Sequence, residues 1–187
     1  MEIREELPGD RESVRNLQQR AFGEGGDPDH GLAVTRLVDS LRELITPSSG
    51  LSLVAELNGQ VVGHVMFTPS LLDAPRKLIE VQVLSPLGVL PEHQKQGIGS
   101  ALVRHGLRVL ADRGATAVFL EGDPRYYARF GFVPGGDRGF RKPSLRIPDV
   151  AFQVVTFPAY EPWMTGTLVY ADPFWRHDCV GLRDPGE

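Results

Sequence analysis

A chain of 187 residues, 41% hydrophobic and 24% charged, is long enough for one sizeable core and shows no composition break that would mark a second domain. A formal net charge of −4 argues against nucleic acid as the main partner, because that ligand demands a basic face. The single cysteine, Cys179, excludes an internal disulfide and fits a reducing compartment such as the cytoplasm.

From the N-terminus, Met1 to Glu6 is charged and lacks the apolar core of a signal peptide. No later run approaches the ~20 apolar residues of a membrane span, so neither secretion nor membrane insertion is expected. Ile3 marks a short first strand. Pro8-Gly9-Asp10 then precedes a helix with Val14, Leu17 and Ala21 on one face and Asp10 as its cap. Gly23 to Asp29 reads as a glycine-rich acidic loop, and Val34, Leu37, Val38 and Leu41 recur at helical spacing in a second helix.

Leu51, Leu53, Ala55 and Leu57 recur at every second position, as do Val61, Gly63, Val65 and Phe67. Asn58-Gly59 between the two runs predicts a tight antiparallel hairpin. Leu78 to Val89 predicts a further long strand, interrupted at Ser85-Pro86. Proline has no N–H for a central ladder, so a bulge or splay is expected there.

The run from Leu87 to Leu102 joins an apolar strand end, a polar turn with Gly97 and Gly99, and the start of an amphipathic helix. Backbone amides at a helix N-terminus have no intrahelical acceptor and sit at the positive end of the helix dipole, which suits a pyrophosphate. Two familiar cradles fail on spacing. No lysine follows Gly99 as a P-loop requires, and Leu102 stands where the Rossmann fingerprint needs its third glycine.

Gln94-x-x-Gly97-x-Gly99 instead resembles the Gln/Arg-x-x-Gly-x-Gly/Ala signature of the GNAT superfamily of N-acetyltransferases. Downstream, the short strand Ala117-Val118-Phe119-Leu120 leads into Gly122-Asp123-Pro124 and Tyr126-Tyr127-Ala128-Arg129-Phe130-Gly131-Phe132. This second run is similar to the family's closing motif, in which a tyrosine lies four residues before a Gly-Phe pair, a spacing that Tyr127 meets. The resemblance covers most of residues 1 to 170.

It implies an α/β fold, a mixed and mostly antiparallel sheet flanked by helices and splayed around acetyl-CoA as co-substrate. It also implies that the amides of Lys95, Gln96, Gly97, Ile98, Gly99 and Ser100, with Gln94, grip the pyrophosphate. The Leu87 amide would face the thioester carbonyl, Val89 would pair with the pantetheine arm, and Tyr127 would protonate the departing thiolate as general acid. The first two helices would flank the acceptor site. The implied reaction is acetyl transfer to a primary amine, on a small molecule or a protein, without a covalent enzyme intermediate. The rival expectation is a non-catalytic acyl-CoA-binding or sensing module of the same fold.

A general base is not legible. The position where some family members carry a glutamate is Val83, and Glu80, three residues earlier, falls on the opposite strand face. Glu121, His64 and His105 are polar candidates with equally ordinary structural explanations, and proton removal through ordered water or a carboxylate of the first two helices fits the chemistry as well. An asparagine common after the fifth strand is replaced by the Gly122-Asp123-Pro124 neighbourhood. Scattered histidines and one cysteine form no metal set, and no Gly-x-Ser-x-Gly elbow marks a serine hydrolase.

Residues 135–143 form a basic turn-rich loop, either a solvated connection or an acceptor lid. Phe152 to Phe157 and Gly166 to Tyr170 read as the last strands. Between them, the aromatics Tyr160 and Trp163 would serve core packing or line an acceptor pocket. The tail from about residue 176 to 187 is expected to be flexible, and a homodimer is compatible with the family.

Overall fold

A computed structural model, which describes residues 1–24 and 27–183, arranges the chain around one twisted sheet. The elements run β1 (Glu2–Glu5), α1 (Arg11–Gly23), α2 (Pro28–Arg42), β2 (Leu51–Leu57), β3 (Gln60–Asp73), β4 (Leu78–Val89), α3 (Ile98–Asp112), β5 (Ala117–Glu121), α4 (Pro124–Tyr127), β6 (Val133–Pro134), β7 (Phe140–Arg141), β8 (Phe152–Thr156), β9 (Gly166–Val169) and α5 (Asp172–Arg176). The strand order is β1-β2-β3-β4-β5-β8-β6, and β9 pairs with the far end of β3 and with β7. All pairs are antiparallel except β4–β5 and β7–β9.

The hairpin follows the Asn58-Gly59 signal, with both residues at positive φ, 52° and 80°. Two helical layers cover the sheet because side chains alternate along β3. A Cβ at Gly63 would touch Ile98 and Leu102 of α3, while the adjacent His64 bonds Gln18 of α1 from the other face. Phe67, on the α3 face and fully buried, packs under Gly106, where an added Cβ would lie 2.1 Å from its ring. Burying such a side chain stabilises the fold by about 1.5–3 kcal/mol.

On the opposite face, Glu6 closes a buried polar chain. It accepts from Arg42 Nη2 at 2.7 Å and from Ser52 Oγ at 2.5 Å. Ser52 in turn meets His64 Nε2 at 2.9 Å, and His64 Nδ1 meets Gln18 Nε2 at 2.7 Å. Burial alone would raise the Glu6 carboxyl, but the surrounding bonds from the His64, Arg42 and Ser52 side chains win and hold it at about 2. Burial lowers the His64 imidazole and outweighs the raising effect of Glu6.

A carboxyl depressed in the folded state stabilises above its unfolded pKa and loses that contribution as pH falls through its folded value. Glu6→Gln is therefore expected to cost about 3 kcal/mol at pH 7, a gap that closes between about pH 4.5 and pH 2. Paired thermal melts across that range measure it, and a gap independent of pH would contradict the assignment.

Two local expectations change. Asp10 stands before α1 but does not cap it: its carboxylate accepts from the Leu7 amide at 2.8 Å and from Arg4 at 2.6 Å. The loop expected over Gly23–Asp29 is shorter, because α1 runs to Gly23 and α2 begins at Pro28, capped by Asp27 accepting from the Asp29 amide. Residues 25 and 26 lie outside the described residues. Part of the C-terminal tail makes contacts with the domain. Val180 is fully buried, Ser40 bonds His177 at 2.8 Å, and the Leu182 amide donates to Arg146 at 3.1 Å. Residues 184–187 lie outside the described residues.

Ser85-Pro86 produces both the expected bulge and the expected splay. Between the pairs Val65↔Leu87 and Phe67↔Leu84, Ser85 and Pro86 face the single residue Met66. On its other edge β4 pairs with β5 only at Gln82↔Val118 and Val83↔Phe119, whereas β5 stays paired to β8 as far as Glu121↔Phe152. The two central strands thus part at Leu84.

Candidate active site

The gap between β4 and β5 is flanked by two cavities that share Leu87. One, of about 570 Å³, lies at the N-terminus of α3. Gly97 caps that helix at φ +85°, and Lys95 also takes a left-handed conformation at φ +60°. The first helical bond runs from the Ala101 amide to the Gly97 carbonyl at 2.9 Å. Among the described residues, the successive amides from Lys95 to Ser100 donate to no protein acceptor. A row of unsatisfied donors at the positive end of a helix fits a diphosphate.

The side chains of Gln94 and Gln96 build this turn. Gln94 Nε2 donates to the Val89 carbonyl and Gln96 Nε2 to the Glu92 carbonyl, each at 3.2 Å. Glu92 pairs with Arg20 at 3.0 Å, tying the turn to α1. Leu90 donates to Val62 of β3 at 3.0 Å, and N–H groups alternate sides along a strand. The Leu87 and Val89 amides consequently point away from β3 into the gap.

The two glycines do different work. A Cβ at Gly97 would meet nothing within 4 Å, so that position is needed for its positive φ. A Cβ at Gly99 would lie 2.9 Å from the Tyr126 hydroxyl, so a side chain there must displace that hydroxyl. Tyr126, Arg129 and His93 line this cavity and were not expected from the motif; the Arg129 guanidinium stacks over the Tyr126 ring at 4.9 Å. The three-residue step between Tyr126 and Arg129 is the available signal, since it sets both on one helix face.

The second cavity, of about 500 Å³, holds Tyr127 and Glu121. The Tyr127 ring lies on Gly122, where a Cβ would come within 2.4 Å of it, and makes an edge contact with Phe132 at 5.8 Å. Burial pushes its phenol well above the usual value, so it stays protonated at neutral pH, and among the described residues its hydroxyl has no hydrogen-bond partner. Asp123, where the family often has asparagine, caps α4 by accepting from the Arg125 amide at 2.9 Å.

Of the polar candidates for a base, Glu121 alone lines this cavity. Glu80 accepts from Ser49 Oγ at 2.7 Å outside it, while Val83 faces in. His64 is sealed in the Glu6 chain, and His105 lies on α3 beside Arg108 at 3.3 Å. The loop at 135–143 lines neither cavity; it forms β7, which pairs with β9. Tyr160 packs on Phe140 and Trp163 takes Arg76 at 4.8 Å, so the aromatics of the chamber are instead Phe22, Tyr170 and Phe174. No helix among the described residues is long and apolar enough to cross a membrane.

Residues 2–135 match the acetyltransferase (GNAT) domain family. The chain is 34% identical over 168 residues to the uncharacterized N-acetyltransferase YjhQ of Escherichia coli K12, covering 88% of each chain. It resembles the crystal structure of the GNAT family N-acetyltransferase YhbS from Escherichia coli in complex with CoA, at a TM-score of 0.79 and 33% identity, over 94% of this chain and 92% of that one. A GNAT family acetyltransferase from Brucella melitensis in complex with acetyl-CoA superposes at 0.70 with 34% identity, over 92% and 97%. Splayed sheet, amide-lined turn and sequence relationship agree: the chain belongs to the GNAT family of acetyltransferases.

Proposed function

We propose that this protein transfers the acetyl group of acetyl-CoA directly to a primary amine. Acetyl-CoA supplies that group as an activated thioester. The observation that carries the reading is the unpaired row of amides from Lys95 to Ser100, linked through Leu87 to a chamber holding a protonated phenol. In this reading those amides bind the diphosphate and the Val89 amide aligns the pantetheine arm as an added strand. The Leu87 amide donates to the thioester oxygen as charge grows there, and the Tyr127 hydroxyl protonates the departing sulfur.

Incubating the protein with acetyl-CoA and a panel of amines, and following free thiol, tests the reading. Amine-dependent release of CoA is expected. Tight binding of acetyl-CoA without turnover on any amine would overturn it and leave a binding or sensing module.

A side-chain test of the cradle accompanies it. Tyr126→Phe removes the hydroxyl that faces Gly99 and is expected to weaken CoA binding about 3- to 10-fold, the worth of one hydrogen bond, while leaving turnover of saturated enzyme unchanged. Calorimetry and saturation kinetics read the two effects separately.

A further inference from the structure

The chamber beside Tyr127 is walled partly by residues beyond the matched family region, which ends at residue 135. Tyr170, Phe174 and Leu182 come from the C-terminal segment, and Phe22, Val34 and Leu37 from the first two helices face them. Most of these wall residues are apolar or aromatic, and His30, Ser85, Glu121, Asp178, Cys179 and Arg183 interrupt them.

The carboxylates differ in what they hold. Asp178 is neutralised by Arg183 at 2.5 Å and approached by Arg146 at 3.5 Å. Glu121 accepts from the Tyr170 hydroxyl at 2.8 Å and the Gly181 amide at 3.0 Å, and among the described residues no lysine, arginine or histidine forms an ion pair with it. Arg146 offers Glu121 only a weaker attraction at longer range. A carboxylate withdrawn from water without an ion pair is costly and gains strongly from an incoming cation.

We propose that the acceptor is a primary amine on an apolar body, an alkylamine or arylalkylamine, whose ammonium is received by Glu121 and whose carbon skeleton is enclosed by the C-terminal segment. The inference rests on the acetyl-transfer reading and narrows its substrate. The ammonium gives one proton to Glu121, which releases it to solvent. As the N–C bond forms and the C–S bond breaks, Tyr127 protonates sulfur and the nitrogen's surplus proton returns to the phenolate, so each turnover yields an amide, a thiol and one free proton. Burial raises the Glu121 carboxyl, which makes it a better base than an exposed glutamate.

The panel for the test is 2-phenylethylamine, hexylamine, kanamycin, glycine and a lysine peptide. The first two are expected to show kcat/KM at least about 10-fold above the others, the scale on which an apolar pocket discriminates. Glu121→Gln keeps the shape and the acceptor for Tyr170 and gives up the acceptor for the Gly181 amide. It is expected to lower kcat/KM for the favoured amine about 10- to 150-fold, the worth of a hydrogen bond to a charged group, with acetyl-CoA affinity unchanged within about twofold. Leu182→Lys, at an exposed position on the chamber wall, is expected to raise KM for the same amine.

Preference for kanamycin or glycine, or an unchanged kcat/KM in Glu121→Gln, overturns this inference and leaves acetyl transfer standing. Absence of turnover on every amine, with acetyl-CoA still bound, overturns both.

Discussion

Replacing Tyr127 with phenylalanine is expected to lower kcat by about 10²- to 10⁴-fold while changing acetyl-CoA affinity by less than about twofold. The substitution removes one oxygen and keeps the ring, so the contacts with Gly122, Phe130 and Phe132 survive and the fold is not at issue. Among the described residues that oxygen has no protein partner, so its loss leaves no donor or acceptor stranded. A hydroxyl kept protonated by burial still carries the proton that a thiolate leaving group needs. Saturation kinetics with a thiol-release assay measure the effect. If Tyr127→Phe keeps its kcat and Tyr126→Phe loses it, the acid is the neighbouring phenol.

That contrast shows what was legible in the sequence. Spacing from the Gly-Phe pair singled out Tyr127, and the glycine turn singled out Lys95 to Ser100, because both are short-range patterns repeated wherever the same backbone is built. Tyr126 was passed over for the same reason: its role depends on α3 lying across from α4, a contact between distant segments that no local period records. Pro86 announced a disturbance in β4 through its missing N–H, and both bulge and splay follow from it. Asp10 misled because its side chain had two uses, and the Arg4 guanidinium outcompeted the helix amides.

The C-terminal segment was the largest omission. Its residues carry turn-like composition, and what fixes them is Glu121, accepting from Tyr170 and Gly181, which lie 49 and 60 positions later. Glu121 itself was visible only as a polar residue at a strand end. Its standing among the candidates comes from the removal of His64, His105 and Glu80 to other surroundings, which is a tertiary fact.

Gly97→Val is expected to weaken CoA binding by about 100-fold or more. An L-residue at φ +85° is disfavoured by about 1–2 kcal/mol, and a β-branched one more strongly, so the turn is expected to rebuild with residue 97 at negative φ. Rotating that peptide turns the amides of residues 97 and 98 off the cradle, and each hydrogen bond to a charged group is worth about 1.5–3 kcal/mol. Steric blockage is not the mechanism, because a Cβ there meets nothing within 4 Å. Gly99→Ala, by contrast, must displace the Tyr126 hydroxyl, the movable end of a side chain, and is expected to act more mildly. Titrating wild type and Gly97→Val with CoA and with pantetheine, which lacks the diphosphate, separates a local from a general defect. Affinity for CoA is expected to fall while the weak affinity for pantetheine stays, and equal losses for both, or none for CoA, would remove the diphosphate from the threshold of α3.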